Sequence, residues 1–180
     1  ASARLALSFY DAADPSEGTC VVPPLLRPEV LRLEDAADAP DDGSLLVYLM
    51  EPALAPVLAR WSDRHPDVPV HCFTATEPRR HSPSLTFHAL SGQAFLDRMA
   101  QCRGVVCTAG FESVSEAMWL GKPVCMAPTP GHYEQRCNAR DAEACGAGLA
   151  VTDLDRGLDA FLDYLPRHTA DPTPFRAWVE

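Results

Sequence analysis

From Ser44 onward, short apolar runs alternate with segments whose apolar residues recur every three to four positions. Brief apolar runs bounded by turn residues suit strands covered on both faces, and the longer period suits amphipathic helices. The pattern predicts strands over residues 44–50, 68–74, 85–88, 105–107, 124–127 and 148–151. Helices are expected between them. One covers residues 52–64 with Pro52 in its first turn, although Pro56 argues for a start further along. Another covers residues 93–102 behind a Ser91 cap, and two more follow Gly110 and His132. Thr152-Asp153-Leu154-Asp155 reads as a capping box ahead of a helix over residues 158–165, and residues 172–180 form a last helix. Regular alternation of this kind predicts an α/β, Rossmann-like three-layer domain built on a parallel sheet of about six strands.

The first 43 residues are patterned differently. Residues 5–9 read as a short strand, and residues 11–19 are acidic and turn-rich. The run Cys20-Val21-Val22-Pro23-Pro24-Leu25-Leu26-Arg27-Pro28 suits a stiff extended connector. Residues 35–43 read as an exposed acidic loop. The expected organisation is therefore strand, linker and loop over residues 1–43, then one domain over residues 44–180, which suits a chain of 180 residues.

Two loops carry the candidate chemistry. Val105 to Cys107 runs into Thr108-Ala109-Gly110, a turn with little side-chain bulk, and a helix follows. The first turn of a helix leaves about four N–H groups without intrahelical partners, and the aligned peptide dipoles add partial positive charge there, so a diphosphate would satisfy both. Glu116 lies one turn further, with Glu112 and Trp119 on the same face. Spacing leaves two readings of Glu116: an acceptor for ribose hydroxyls, or the far end of a Ser113-Val114-Ser115-Glu116 capping box. Glu112 fits a helix-dipole partner. The second loop, Pro128-Thr129-Pro130-Gly131-His132-Tyr133-Glu134-Gln135, follows the next strand. Glu134 and Gln135 could meet sugar hydroxyls and His132 a phosphate, but taken alone Glu134 better suits a dipole-stabilising first-turn acid and Gln135 a solvated surface amide.

Residues 87–151 resemble the donor-binding half of GT-B glycosyltransferases. The elements that carry the likeness are Gly110-Phe111-Glu112-Ser113-Val114-Ser115-Glu116-Ala117, Gly121-Lys122-Pro123 and His132-Tyr133-Glu134-Gln135-Arg136-Cys137-Asn138-Ala139. The region is similar to that of the UDP-glucuronosyltransferases and the lipid-II N-acetylglucosaminyltransferase. It especially resembles a bacterial and archaeal group of glycosyltransferases with the same three motifs in the same order. The resemblance implies that the N–H groups of Ala109, Gly110 and Phe111 hold the donor diphosphate, with His132 nearby. It implies that Glu116 holds the ribose, that Glu134 and Gln135 hold the transferred sugar, and that His88, Ala89 and Leu90 border the base. It further implies a UDP-sugar donor, no cofactor, no required metal, and an acceptor site and catalytic base in an N-terminal domain that has no room in this chain. On that reading the chain is a C-terminal portion that binds donor without transferring sugar. The opening at Ala1, without a signal pattern, agrees with a cut chain. One departure stands out: the glycine-rich loop expected after the first strand is replaced by Leu45-Leu46-Val47-Tyr48-Leu49-Met50-Glu51-Pro52.

Charge and cysteine usage narrow the setting. A net charge of −10 opposes nucleic acid and anionic membranes, and gives a nucleotide-sugar no long-range help, so recognition has to be local. Arg79-Arg80-His81 is a small basic patch that suits a solvated loop. Seven cysteines without a Cys-x-x-Cys spacing favour reduced thiols and a cytoplasmic setting, and the histidine spacing suggests no zinc site. No apolar stretch approaches the ~20 residues of a membrane span. Two other functions share the architecture: a nucleotide-sugar 2-epimerase, whose flanking carboxylates are not found here, and a non-catalytic nucleotide-binding or scaffold domain.

Overall fold

Successive residues of the central strand point into two different apolar layers. Leu45, Val47 and Leu49 pack with Leu58, Trp61, Val106 and Phe161 on one side of the sheet, while Leu46 packs with Phe73, Leu96, Val105 and Val124 on the other. Burial on both faces is what a parallel strand needs and what its unbroken apolar run encodes. The computed structural model describes residues 4–11, 18–33, 40–75, 77–168 and 170–180. Most of the acidic stretches expected at residues 11–19 and 35–43 lie outside them.

In chain order the elements are β1 (Arg4–Leu7), β2 (Thr19–Val22), α1 (Pro28–Leu31), β3 (Leu45–Leu49), α2 (Ala55–Arg64), β4 (Val70–Thr74), β5 (Arg79–Arg80), β6 (Leu85–His88) and α3 (Gly92–Gln101). There follow β7 (Gly104–Cys107), α4 (Phe111–Trp119), β8 (Val124–Met126), α5 (Tyr133–Ala144), β9 (Gly148–Ala150), α6 (Leu154–Tyr164) and α7 (Thr173–Val179). The main sheet has the order β5-β6-β4-β3-β7-β8-β9. Its pairs are parallel except β5 with β6, and Val47 lies opposite Cys72 on one side and Val106 on the other. The α/β class and the parallel six-strand sheet expected from the pattern are both present.

Helices cover both faces. Phe95, Leu96 and Met99 of α3, Val114 and Ala117 of α4, and Ala139 and Ala142 of α5 fill one layer; Leu58 and Trp61 of α2 with Leu158 and Phe161 of α6 fill the other. Trp61 Nε1 donates to Asp159 at 2.7 Å, which ties α2 to α6. The close packing reaches the backbone at Gly148, where a Cβ would stand 1.9 Å from the Val124 carbonyl oxygen.

Several local expectations shift. Within the charged loop predicted before β6, Arg79 and Arg80 form an antiparallel edge strand, with the Arg79 guanidinium 4.7 Å from the centre of the Phe87 ring. A short cationic edge discourages pairing with a further strand. Pro52–Leu54 forms a 3₁₀ turn before α2, so the regular helix starts later, as Pro56 suggested. Helix α6 begins at Leu154 rather than residue 158, because Asp153, not Thr152, accepts the Arg156 N–H at 2.9 Å. The apolar start of the presumed connector is β2, paired in parallel with β1 through Leu5 opposite Cys20. Helix α7 lies against α4: Arg176 Nε donates to the Trp119 carbonyl at 2.9 Å and Trp178 Nε1 to the Ser8 carbonyl at 3.0 Å.

Candidate functional site

From β3 the chain moves outward through β4 to β6, then crosses back to β7 on the other side of β3 and moves outward through β8 to β9. The two crossovers part between β3 and β7, and a crevice at the carboxyl ends of strands where connections diverge is the usual ligand position in such sheets. Tyr48 and Cys107 pair across this point. The turn Thr108-Ala109-Gly110 leaves the sheet there.

That turn is held in an unusual shape. Ala109 has φ +60°, a left-handed conformation that costs an L-residue roughly 1–2 kcal/mol. Its methyl is fully buried in the core, and Asn138 Nδ2 of α5 donates to its carbonyl oxygen at 3.1 Å. Gly110 is the N-cap of α4, with no side chain capping the helix. A Cβ at Gly110 would meet nothing within 4 Å, and Gly110 itself is exposed, so the helix start opens to solvent at that residue. An open, uncapped helix start beside a fixed turn can receive an anion by main-chain N–H groups and helix dipole together.

One turn into α4, Glu116 is only 3% exposed and does not reach back to cap the helix. Its two carboxylate oxygens accept from Arg27 Nε at 2.5 Å and Nη2 at 2.7 Å, a two-point pair in the geometry that suits a guanidinium. The Glu116 hydrogen bond raises the already high Arg27 pKa. Ser115 Oγ meanwhile turns back to the Phe111 carbonyl at 2.8 Å. The capping-box reading of Ser113 and Glu116 is thus replaced by a carboxylate committed to a cation 89 positions earlier.

Arg27 and Glu116 border a cleft of about 290 Å³ whose walls include Tyr48, Phe73, Leu90, Ser91, Phe95 and Glu112. Aromatic walls beside a carboxylate and a helix start can take a flat ring, a polyol and an anion in sequence. Of the residues expected to touch donor, Leu90 and Glu116 line this cleft. His88 lies behind it: its ring stacks on Phe73 with centroids 4.9 Å apart, and its Nε2 lies 2.9 Å from His71 Nδ1. Burial holds both imidazoles below the usual histidine range. Ala89 is exposed at the strand end.

The second loop is arranged differently. His132 is the exposed N-cap of α5, Glu134 is exposed in its first turn, and Gln135 Oε1 accepts the Thr129 N–H at 2.8 Å, which closes the loop on itself. None of these three lines the 290 Å³ cleft; the bond between their helix and the first loop is the one from Asn138 to Ala109. Sequence reasoning missed Arg27 and Asn138. Each had a weak signal: Arg27 ends the proline-rich segment, and Asn138 sits inside the third motif.

Comparisons with known proteins bear on the family and the fold. Over 82 residues the chain is 38% identical to the UDP-N-acetylglucosamine--N-acetylmuramyl-(pentapeptide) pyrophosphoryl-undecaprenol N-acetylglucosamine transferase of Nocardioides sp., covering 43% of this chain and 22% of that enzyme. The same enzyme of Bifidobacterium longum is 41% identical over 68 residues, 37% of this chain and 17% of its own length. The matches thus span less than a quarter of those relatives. In fold, the chain is similar to the glycotransferase of kitacinnamycin, with TM-score 0.62 and 16% identity over 92% of this chain and 45% of the other. It is also similar to Medicago truncatula UGT71G1 complexed with UDP-glucose, with TM-score 0.59 and 16% identity over 89% of this chain and 43% of the other. The fold is accordingly that of roughly half of a GT-B glycosyltransferase, and the profile described as "Glycosyl transferase family 1" matches residues 1–166. By that match over most of its length, the chain belongs to glycosyl transferase family 1.

Proposed function

We propose that this chain is the donor-binding half of a glycosyltransferase and takes a UDP-sugar at the carboxyl ends of β3 and β7. The carrying observation is the pairing of an open, uncapped helix start at Gly110 with a buried carboxylate one turn along at Glu116. The N–H groups of Ala109, Gly110 and Phe111 receive the diphosphate, Glu116 accepts from the ribose hydroxyls, and residues 88–90 border the base. Curated relatives that act on UDP-N-acetylglucosamine support a uridine donor. Glu134 and Gln135 hold the transferred sugar and His132 approaches the phosphates once donor draws the second loop inward. In the reaction, helix N–H groups stabilise the charge that grows on the leaving diphosphate, which replaces the role of a cation. Residues 1–43 connect this half to an N-terminal domain that supplies acceptor site and base, so the chain alone binds donor and transfers nothing.

The test is a calorimetric titration with UDP and 2′,3′-dideoxy-UDP, repeated for Glu116→Ala with chelator present throughout. Removal of the ribose hydroxyls should weaken binding to the native chain by about 1.5–3 kcal/mol, the worth of charge-assisted hydrogen bonds. The same removal should leave Glu116→Ala almost unaffected. Equal losses in both proteins would sink the ribose role, and absence of saturable UDP binding would favour a scaffold.

A further inference from the structure

The opposite end of the sheet holds a second cavity, of about 490 Å³, at the amino ends of β3, β7 and β8. Two cationic side chains and an imidazole stand in its wall. Arg103, just ahead of β7, has a buried Nε without an acceptor. Lys122, just ahead of β8, is 7% exposed, and its ammonium pairs with no carboxylate among the described residues. His168, beyond α6, has Nδ1 2.6 Å from the Tyr164 hydroxyl and a buried Nε2 without a partner among the described residues; when that hydroxyl donates to Nδ1, Nε2–H is a free donor.

A guanidinium cannot shed its proton to escape burial, and the mostly buried Lys122 sets a second cation on the same cavity. Two cations and an imidazole nitrogen thus line one space in a chain of net charge −10. Asp41 is the carboxylate in the lining, and its Oδ1 already accepts the Gly43 N–H at 2.9 Å. Arg103 and Lys122 against the one carboxylate of Asp41 leave the lining with an excess positive charge that an anion from outside can meet. A tetrahedral oxyanion offers several oxygens at once to donors that approach from different elements, and the volume exceeds what a bare anion needs, falling in the ~300–1,000 Å³ range of small-molecule sites.

We propose that this cavity binds a small phosphorylated molecule, with its phosphate seated among Arg103, Lys122 and His168. The site is separate from the donor cleft: the four residues of β7, about 13 Å of strand, lie between Arg103 and the turn that leads to Gly110. Occupancy would tie the segment that follows α6 to the loops ahead of β7 and β8, so the ligand would brace the bottom of the sheet.

The experiment follows the imidazole Hε1 resonance of His168, assigned by its loss in His168→Gln, as inorganic phosphate is added at constant ionic strength against chloride. Native chain should show a saturable shift in about the millimolar range. Lys122→Met and Arg103→Leu, two variants so that one folding failure does not decide the matter, should each weaken it by about tenfold. UDP affinity should be unchanged in both. A response no different from chloride would mean that water alone fills the cavity and would overturn the proposal. So would a phosphate shift that persists in the folded variants, since the anion would then act elsewhere, for instance at the Gly110 turn. Because the readout is His168, failure of UDP to bind would count against the donor reading and leave this one standing.

Discussion

At the scale of single residues, two ion and ring pairs decide how the cleft behaves. Glu116 is buried, while the Arg27 side chain is 42% exposed, so water screens the cation more than the carboxylate. Arg27→Ala strands a buried carboxylate, and a loss of about 1–3 kcal/mol of folding stability is expected in urea denaturation. Arg27→Lys keeps the charge but not the two-point geometry and should recover part of it. The His71–His88 contact at 2.9 Å needs one ring to donate and the other to accept, which two imidazolium ions cannot do. Both pKa values are depressed, chiefly by burial, so the unfolded chain binds more protons than the folded one at mildly acidic pH. Stability is then fully present above the unfolded histidine value of about 6.5 and declines as pH falls toward the lower folded values. Urea midpoints at pH 7.5 and 5.5 should show that decline in the native chain and a smaller one in His71→Gln/His88→Gln. His168, also depressed by burial, contributes a slope of the same sign that the double variant keeps.

At the scale of elements, the turn at Ala109 and Gly110 is positioned by a helix from another unit of the fold. Asn138 of α5 holds the Ala109 carbonyl, so the third motif fixes the shape of the first. Asn138→Ala should cost about 1 kcal/mol of stability and weaken UDP binding, because the turn loses the bond that offsets its strained φ. An affinity that is unchanged in a folded Asn138→Ala would mean that the buried Ala109 methyl is anchor enough. Gly148 gives a harsher test of element packing. At φ +157°, with a Cβ position 1.9 Å from the Val124 oxygen, β9 can lie beside β8 only if no side chain intervenes. Gly148→Ala should destabilise by more than about 3 kcal/mol, read as a thermal midpoint lowered by many degrees. The strands and their apolar faces were legible because their period is local. Helix α6 started earlier than expected because a cap depends on which oxygen finds an N–H, and Thr152 and Asp153 are equally plausible in a string of letters.

At the scale of the whole molecule, the seven-stranded sheet is covered on both faces, whereas the parallel pair β1 and β2 is not. In β1, Leu5 is 73% exposed and Leu7 50%, and Leu25, three residues past β2, is 86% exposed. Parallel strands rarely stand open to water, and a connector to another domain would present such a surface to it. Leu5→Asp with Leu7→Asp should therefore change the folding stability of this chain, read by urea denaturation, by less than about 0.5 kcal/mol, since little is packed against them here. If the same pair lowered stability by several kcal/mol, the exposed face would already be part of this core.

The order of elements, the two apolar layers and the small-residue turn at Gly110 were determined by sequence alone, because each is set by neighbours within a few positions. The likeness in three motifs pointed to the family by the same local signals. Only the tertiary structure decided that Glu116 faces Arg27 rather than its own helix start, that Asn138 anchors Ala109, and that Arg103, Lys122 and His168 share one cavity. Those partners are separated by 29 to 89 positions in the first two cases. A hydrogen bond or a shared cavity depends on where folding brings two segments, and no periodicity along the chain encodes that distance.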